Sequence, residues 1–294
     1  MSWVFLSVLA AFLWATTNVI DKYVVSKLVR EPLLPAIFLG LAGICAGLLV
    51  VFIHGVQSLS TPHLILALSG GFLYMLAGFC YFHAVQRAEV SRAIPLFYIE
   101  PLVIGVLSAY FIGEVFGPWT YLGVILLVAG AMLITADEKF KPRFDAPFWL
   151  MIIAALSLSV MQVVTKYLLG FADVWTVYAY MRIGGIFVVV PAFVMNAKGF
   201  VELYREKGYL PYLCMSASEG LNYSAYLIFT FALSIGYVTL TNALSSVQPF
   251  FVLAMMIAMS ILFPHIVKEE IGRKTVGLKI FAIAAMFAGA LLVG

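Results

Sequence analysis

The stretch Ser91–Glu114, SRAIPLFYIEPLVIGVLSAYFIGE, is apolar enough to cross a bilayer, yet Glu100 followed directly by Pro101 stands near its middle. A carboxylate in hydrocarbon costs several kcal/mol, roughly 3 on insertion scales, unless it faces a partner or a wet cavity. Proline cannot donate to the helical ladder, so Pro101 leaves the carbonyl of Phe97 free one turn earlier. A polar side chain beside opened backbone at mid-membrane is the arrangement that substrate and ion sites of transporters use. The second half of the chain repeats it as Gln248–Pro249, in VTLTNALSSVQPFFVLAMMIAMS.

Outward from that stretch the chain is apolar almost throughout: 64% hydrophobic and 11% charged residues over 294 positions. This composition excludes a soluble domain. Ten runs are long enough to span as helices, at 3–25, 33–53, 64–86, 91–112, 117–135, 147–169, 175–195, 211–232, 237–263 and 276–293. The hydrophilic stretches 137–146 and 196–210 read as connecting loops, and the N-terminus, without a basic region before its apolar run, reads as the first span. The expected fold class is an all-α integral membrane protein with ten transmembrane helices in two inverted five-helix repeats. The first repeat is 1–136, the linker 137–146 and the second repeat 147–294.

Internal likeness supports the halves. LAAFLWATTNVIDKY at 9–23 sets against IAALSLSVMQVVTKY at 153–167, with Ala10/Ala154, Ala11/Ala155, Val19/Val163, Lys22/Lys166 and Tyr23/Tyr167 coinciding. Over 80–101 against 228–249 the matches are Ala84/Ala232, Val90/Val238, Leu96/Leu244 and Pro101/Pro249. The basic residues argue more strongly. Loops after odd spans carry Lys27, Arg30, Arg87, Arg92, Lys139, Lys141, Arg143, Lys198, Arg205, Lys207, Lys268, Arg273 and Lys274. Loops after even spans and both termini carry none, which puts the odd loops in the cytoplasm of a plasma-membrane protein. With five spans per half, equivalent loops fall on opposite faces, the charge signature of an inverted repeat.

Polar side chains within spans are the candidate site. On span 1, Trp14, Asn18 and Lys22 recur every four residues and share a face; Gln162 and Lys166 answer the last two on span 6. The lysines either snorkel to headgroups or line the cavity, and Asn18 and Gln162 either bond between helices or line it. Span 2 offers Gly40, Gly43 and Gly47, whose spacing lets a neighbouring backbone come close. Span 3 brings Tyr74, Tyr81 and His83, and span 4 adds Tyr98 beside Glu100. Span 7 has Tyr178, Tyr180 and Arg182; Arg182 either pairs with Asp173 or meets an anionic substrate group. Span 8 holds Glu219, Asn222, Tyr223 and Tyr226, where Glu219 is a cavity acid or a protonated structural one. Span 9 supplies Asn242, Ser245 and Gln248, with Pro249 freeing the Ser245 carbonyl. Spans 5 and 10 hold little polar chemistry and read as packing helices.

No catalytic or metal-binding pattern stands out: the four histidines and three cysteines lack ligand spacing, and Asn222-Tyr-Ser is a glycosylation sequon inside a span. The expectation is therefore a non-enzyme with no cofactor and no metal.

These features together resemble the EamA type of drug/metabolite transporter over the whole chain. The resemblance rests on Trp14-Ala-Thr-Thr-Asn18, Glu100-Pro-Leu, Gly113-Glu114, Gly123, Gly130, Gln248-Pro-Phe, Glu269 or Glu270, Gly289, and Arg182 early in a repeat's second helix. Departures are the missing arginine in the first half, the missing tryptophan in span 6 and the longer FPHIVKEEIGRK between spans 9 and 10. Many relatives are drawn with cytoplasmic termini, opposite to the charge count here. The resemblance implies a cavity between spans 1, 3, 4, 6, 8 and 9 and export or exchange of small metabolites. The partners expected are a small polar or amphipathic substrate and the lipid bilayer, with a proton as coupling ion through Glu100 or Glu219, no nucleic acid, and a monomer or homodimer. The alternative is a passive facilitator or lipid-carrier flippase, with an intramembrane enzyme third.

Overall fold

The computed structural model describes residues 2–29, 31, 33–87, 96–135, 144–262 and 273–293, and every regular element among them is helical. In chain order these are α1 Trp3–Tyr23, α2 Leu33–His54, α3 Thr61–Arg87, α4 Glu100–Phe111, α5 Pro118–Thr135 and α6 Ala146–Leu168. There follow α7 Val174–Ile183, α8 Ile186–Lys207, α9 Leu210–Ile235, α10 Val238–Ser245, α11 Gln248–Leu262 and α12 Arg273–Val293. Among the described residues six stretches are long and apolar enough to cross a membrane, counting α7 with α8 and α10 with α11 as one each. Shorter apolar helices lie at Glu100–Phe111, Pro118–Leu133 and Gly277–Val293. Arg30, the basic residues at 92, 139, 141, 143 and 268, and Glu269 and Glu270 fall outside the described residues.

Local chemistry sets the ends. The Ser2 side chain accepts from the Val4 amide, Asp145 from Phe148, and Asp173 from Thr176. Each satisfies an amide that a helix N-terminus leaves without an internal acceptor. Gly55 and Gly208 end α2 and α8 with φ of 70° and 67°, a conformation open to glycine at no steric cost. The end of α1 loosens into one π turn, Val24–Leu28.

Both proline breaks are present, one residue pair earlier than a mid-helix kink would be. The chain turns at Tyr98–Ile99 and again at Ser246–Val247, so Glu100 and Gln248 are each the first residue of a new helix. Pro101 and Pro249 follow within the first turn, where the missing N–H costs nothing. A third break, at Gly184–Gly185, divides the expected span 175–195. There α3 crosses so closely that a Cβ on Gly184 would stand 2.3 Å from the Leu68 carbonyl oxygen. The expected loop at 196–210 is corrected: α8 continues to Lys207, because Phe200 and Leu203 give NAKGFVELYREK a buried stripe at helical spacing.

Packing pairs the halves crosswise. α1 lies along α9, while α6, which repeats the α1 sequence, lies along α3; α2 meets α7, α4 meets α10, and α5 lies along α12. The matched alanines Ala10, Ala11, Ala154 and Ala155 are all fully buried in these seams. α5 and α12 close on Gly123 and Gly289, where an added Cβ would meet the opposite carbonyl at 2.9 and 2.7 Å, in keeping with their reading as packing helices.

Candidate functional site

Two charged centres lie in the interior between α1, α3, α7 and α9. The first is acidic. Trp14 on α1 donates its indole N–H to Asn222 Oδ1 at 3.1 Å and packs its ring against Tyr226 and Phe229, with centroids 4.9 and 5.2 Å away. Because indole only donates, the Asn222 oxygen must face it, and its amide nitrogen is then aimed at Glu219 Oε2 (2.9 Å) and the Tyr74 hydroxyl (3.3 Å). Glu219 and Asn222 are three apart on α9 and so share a face. The neighbouring Ser218 donates to Asp21 at 2.5 Å, and Asp21 is close enough to Glu219 for their charges to interact. The sequence reading did not select Asp21. Its position seven residues after Trp14, two turns on along the same face, was the available signal.

The second centre is Arg182, 6% exposed near the end of α7. Its guanidinium carbon lies 4.4 Å from the Tyr74 ring centre, 4.7 Å from Tyr226, and 5.8 Å from both Tyr178 and Tyr223. The cage is held by backbone: Tyr178 donates its hydroxyl to the Tyr223 carbonyl at 3.0 Å and Tyr223 to the Leu39 carbonyl at 2.7 Å. Gly43 makes room for that second bond, since a Cβ there would be 2.4 Å from the Tyr223 hydroxyl. Arg182 Nη2 meets only the Met161 thioether at 3.9 Å, and Nε and Nη1 have no hydrogen-bond partner among the described residues. The alternative in which Arg182 pairs with Asp173 is thereby corrected. Asp173 accepts from the Thr176 amide and hydroxyl at 2.9 and 3.0 Å, capping the far end of the same helix.

A third charged group grips the junction of α9 and α10. Lys166 donates to the carbonyls of Leu233 and Gly236 (2.8 and 2.6 Å), the C-terminal end of α9. Glu114 accepts from the amides of Val238 and Thr239 (2.9 and 3.2 Å), the N-terminal end of α10. Both signs suit the helix ends they cap. Ser108 and Thr239 exchange a hydrogen bond of 2.7 Å beside them. Lys22, at the matching position of α1, is exposed.

The remaining candidates are distributed around these centres. Tyr81 rests its ring on Phe97 (5.8 Å) and is within charge range of Asp21, with Tyr98 next to it. Glu100 is within charge range of Tyr226, and its backbone carbonyl accepts from Ser159 at 3.4 Å. Asn18 and Gln248 are half-buried and Gln162 is buried. His83, Asn242 and Ser245 are taken up by carbonyls of their own helices, at Phe79 (2.9 Å), Val238 (2.8 Å) and Asn242 (2.8 Å). A separate groove of about 700 Å³ runs along α4 and α5, lined by Leu102, Val106 and Ile125 among others, with Tyr110, Tyr121 and Thr239 as its polar side chains.

The geometry is that of a polar centre enclosed by apolar helices, and residues 1–136 match the family model described as the EamA-like transporter family. That segment belongs to the drug/metabolite transporter superfamily. The EamA-like match ends at residue 136, before α6 begins. One solved crystal structure superposes with a TM-score of 0.71 at 19% identity, covering 99% of this chain and 95% of its own. Its likeness is one of fold and extends over both halves. A comparison with curated proteins found no match. The EamA-like family is one of transporters, and the apolar helices make the chain a multi-pass integral membrane protein.

Proposed function

We propose that the chain is a secondary transporter that carries a small polar or amphipathic metabolite by alternating access through a pocket between two inverted repeats. The observation that carries the reading is the joined set Trp14–Asn222–Glu219 with Tyr74, contributed by α1, α3 and α9 and so by both halves of the chain. Polar groups in a membrane interior are costly and recur at substrate paths. The crosswise pairing of α1 with α9 and α6 with α3 is what two equivalent bundles of opposite sense produce. The family match supports transport as the activity. On this reading the loops after odd spans face the cytoplasm of the plasma membrane, Trp14 and the tyrosines stack on the substrate, and transport runs outward or by exchange. Glu219 and Glu100 are the groups through which a proton would couple.

The test is release from proteoliposomes. The full chain is reconstituted around a mixed pool of amino acids, sugars and organic acids, and efflux is followed by mass spectrometry. Accelerated loss of at least one compound, abolished by Trp14→Ala, is the expected result; release equal to that of protein-free liposomes contradicts the reading. Proton coupling is tested in the same vesicles, where an imposed pH gradient must change the rate.

A further inference from the structure

Arg182 presents a chemical demand that the described residues do not meet. A guanidinium carries five N–H donors and stays charged at all physiological pH. Removing it from water costs several kcal/mol, and a tyrosine face returns only about 0.5–2 kcal/mol. Four rings therefore soften the burial without supplying an acceptor, and the only acceptor in reach among the described residues is a thioether.

The acids of the interior are otherwise engaged. Glu219 takes the Asn222 amide, Asp21 the Ser218 hydroxyl, Asp173 the start of α7 and Glu114 the start of α10. Glu100 lies beyond Tyr226 and makes no salt bridge to Arg182. The asymmetry is informative: these four carboxylates have donors from the protein, and the Arg182 guanidinium has no oxygen among the described residues.

Building on the transporter reading, we infer that Arg182 and its tyrosine cage form the recognition point for a singly charged organic anion, a carboxylate with an apolar body. The guanidinium binds carboxylate with charge-assisted hydrogen bonds, the strongest neutralising contact available to it. Trp14 and Tyr226, in edge contact at 4.9 Å, supply the surface for the apolar body. One guanidinium neutralises one carboxylate, and the Glu219 side chain beyond Tyr74 brings no cation for a second, so a monoanion binds and a dianion does not.

The experiment uses the full chain in detergent with four probes of one size: benzoate, phthalate, benzamide and benzylamine. Affinity is read by calorimetry and by the shift in melting temperature. Benzoate should bind saturably, about tenfold or more tighter than the other three. Arg182→Lys keeps the charge but loses the planar fork, and should weaken benzoate by about tenfold while Arg182→Gln abolishes it. Asp173→Asn, at the far end of α7, should leave benzoate binding intact. Benzoate binding that is absent, that is unchanged in Arg182→Lys, or that is matched by benzylamine overturns the inference. If benzylamine or benzamide binds instead and loses affinity in Trp14→Ala, the central pocket stands and only the anion assignment falls. If no probe binds and Trp14→Ala also leaves proteoliposome efflux unchanged, both fall.

Discussion

Two charged centres a tyrosine apart are built on different principles. Around Glu219 the polar side chains are joined to one another: Asn222 holds the carboxylate through Oε2, Trp14 holds Asn222, and Tyr74 accepts from the same amide. Around Arg182, Tyr178 and Tyr223 are satisfied by backbone carbonyls, and among the described residues the guanidinium is left with a thioether. A network complete in itself is a structural element whose loss exposes several unpaired groups at once. A charge that the fold surrounds but does not pair is one whose partner comes from elsewhere. The difference separates the part of the pocket whose polar groups the protein positions from the part that still needs an acceptor.

The largest effect expected from breaking this contrast is at the hub of the complete network. Asn222→Leu unpairs Glu219, Trp14 and Tyr74 together and should cost about 3–5 kcal/mol, read from denaturation in detergent, because a buried carboxylate loses its donor. A loss near zero would mean that the network is ornamental.

The opposite sign is expected on the other side. Arg182→Met removes a charge on which no described hydroxyl depends, so stability should stay level or rise by about 1–4 kcal/mol while metabolite efflux is lost. A large destabilisation would make Arg182 the keystone of the cage and would remove its contrast with Glu219. Glu114→Gln, at the junction of α9 and α10, keeps an acceptor for the Val238 and Thr239 amides but loses the charge that faces a helix N-terminus. About 1 kcal/mol of destabilisation is expected in a thermal melt. The smallest effect sharpens the inventory of acids: Asp173→Asn preserves an N-cap and should change stability by less than about 0.5 kcal/mol, with benzoate affinity unaltered. Any change in anion binding there would revive the Arg182–Asp173 pair.

Much of the frame was legible in the sequence because bilayer thickness dictates the length of apolar runs and proline dictates where they break. The starts of α4 and α11 at Glu100 and Gln248 follow from Pro101 and Pro249, and the inward face of Trp14 follows from its four-residue spacing to Asn18. The break at Gly184–Gly185 was harder, since paired glycines announce close approach without saying whether the helix continues. The extension of α8 past the expected loop was missed because charged helix and polar loop have the same composition; only the spacing of Phe200 and Leu203 separates them. Helix geometry also argued against the Asp173–Arg182 pair: at 100° per residue, nine positions put the two side chains about half a turn out of phase. The partners of Asn222, Tyr74 and Trp14, lie 148 and 208 residues away in the chain, and no local pattern encodes contacts of that range.

The central claim is that the polar faces of α1 and α4 look into water and not into lipid, and thiol labelling tests it directly. Cys45, Cys80 and Cys214 are replaced by serine, and Asn18→Cys or Glu100→Cys is introduced, with Val106→Cys on the exposed outer face of α4 as the lipid-side control. The account predicts that a charged, membrane-impermeant thiol reagent modifies the Asn18 and Glu100 variants in proteoliposomes and leaves the Val106 variant untouched. Equal inertness of all three would contradict it.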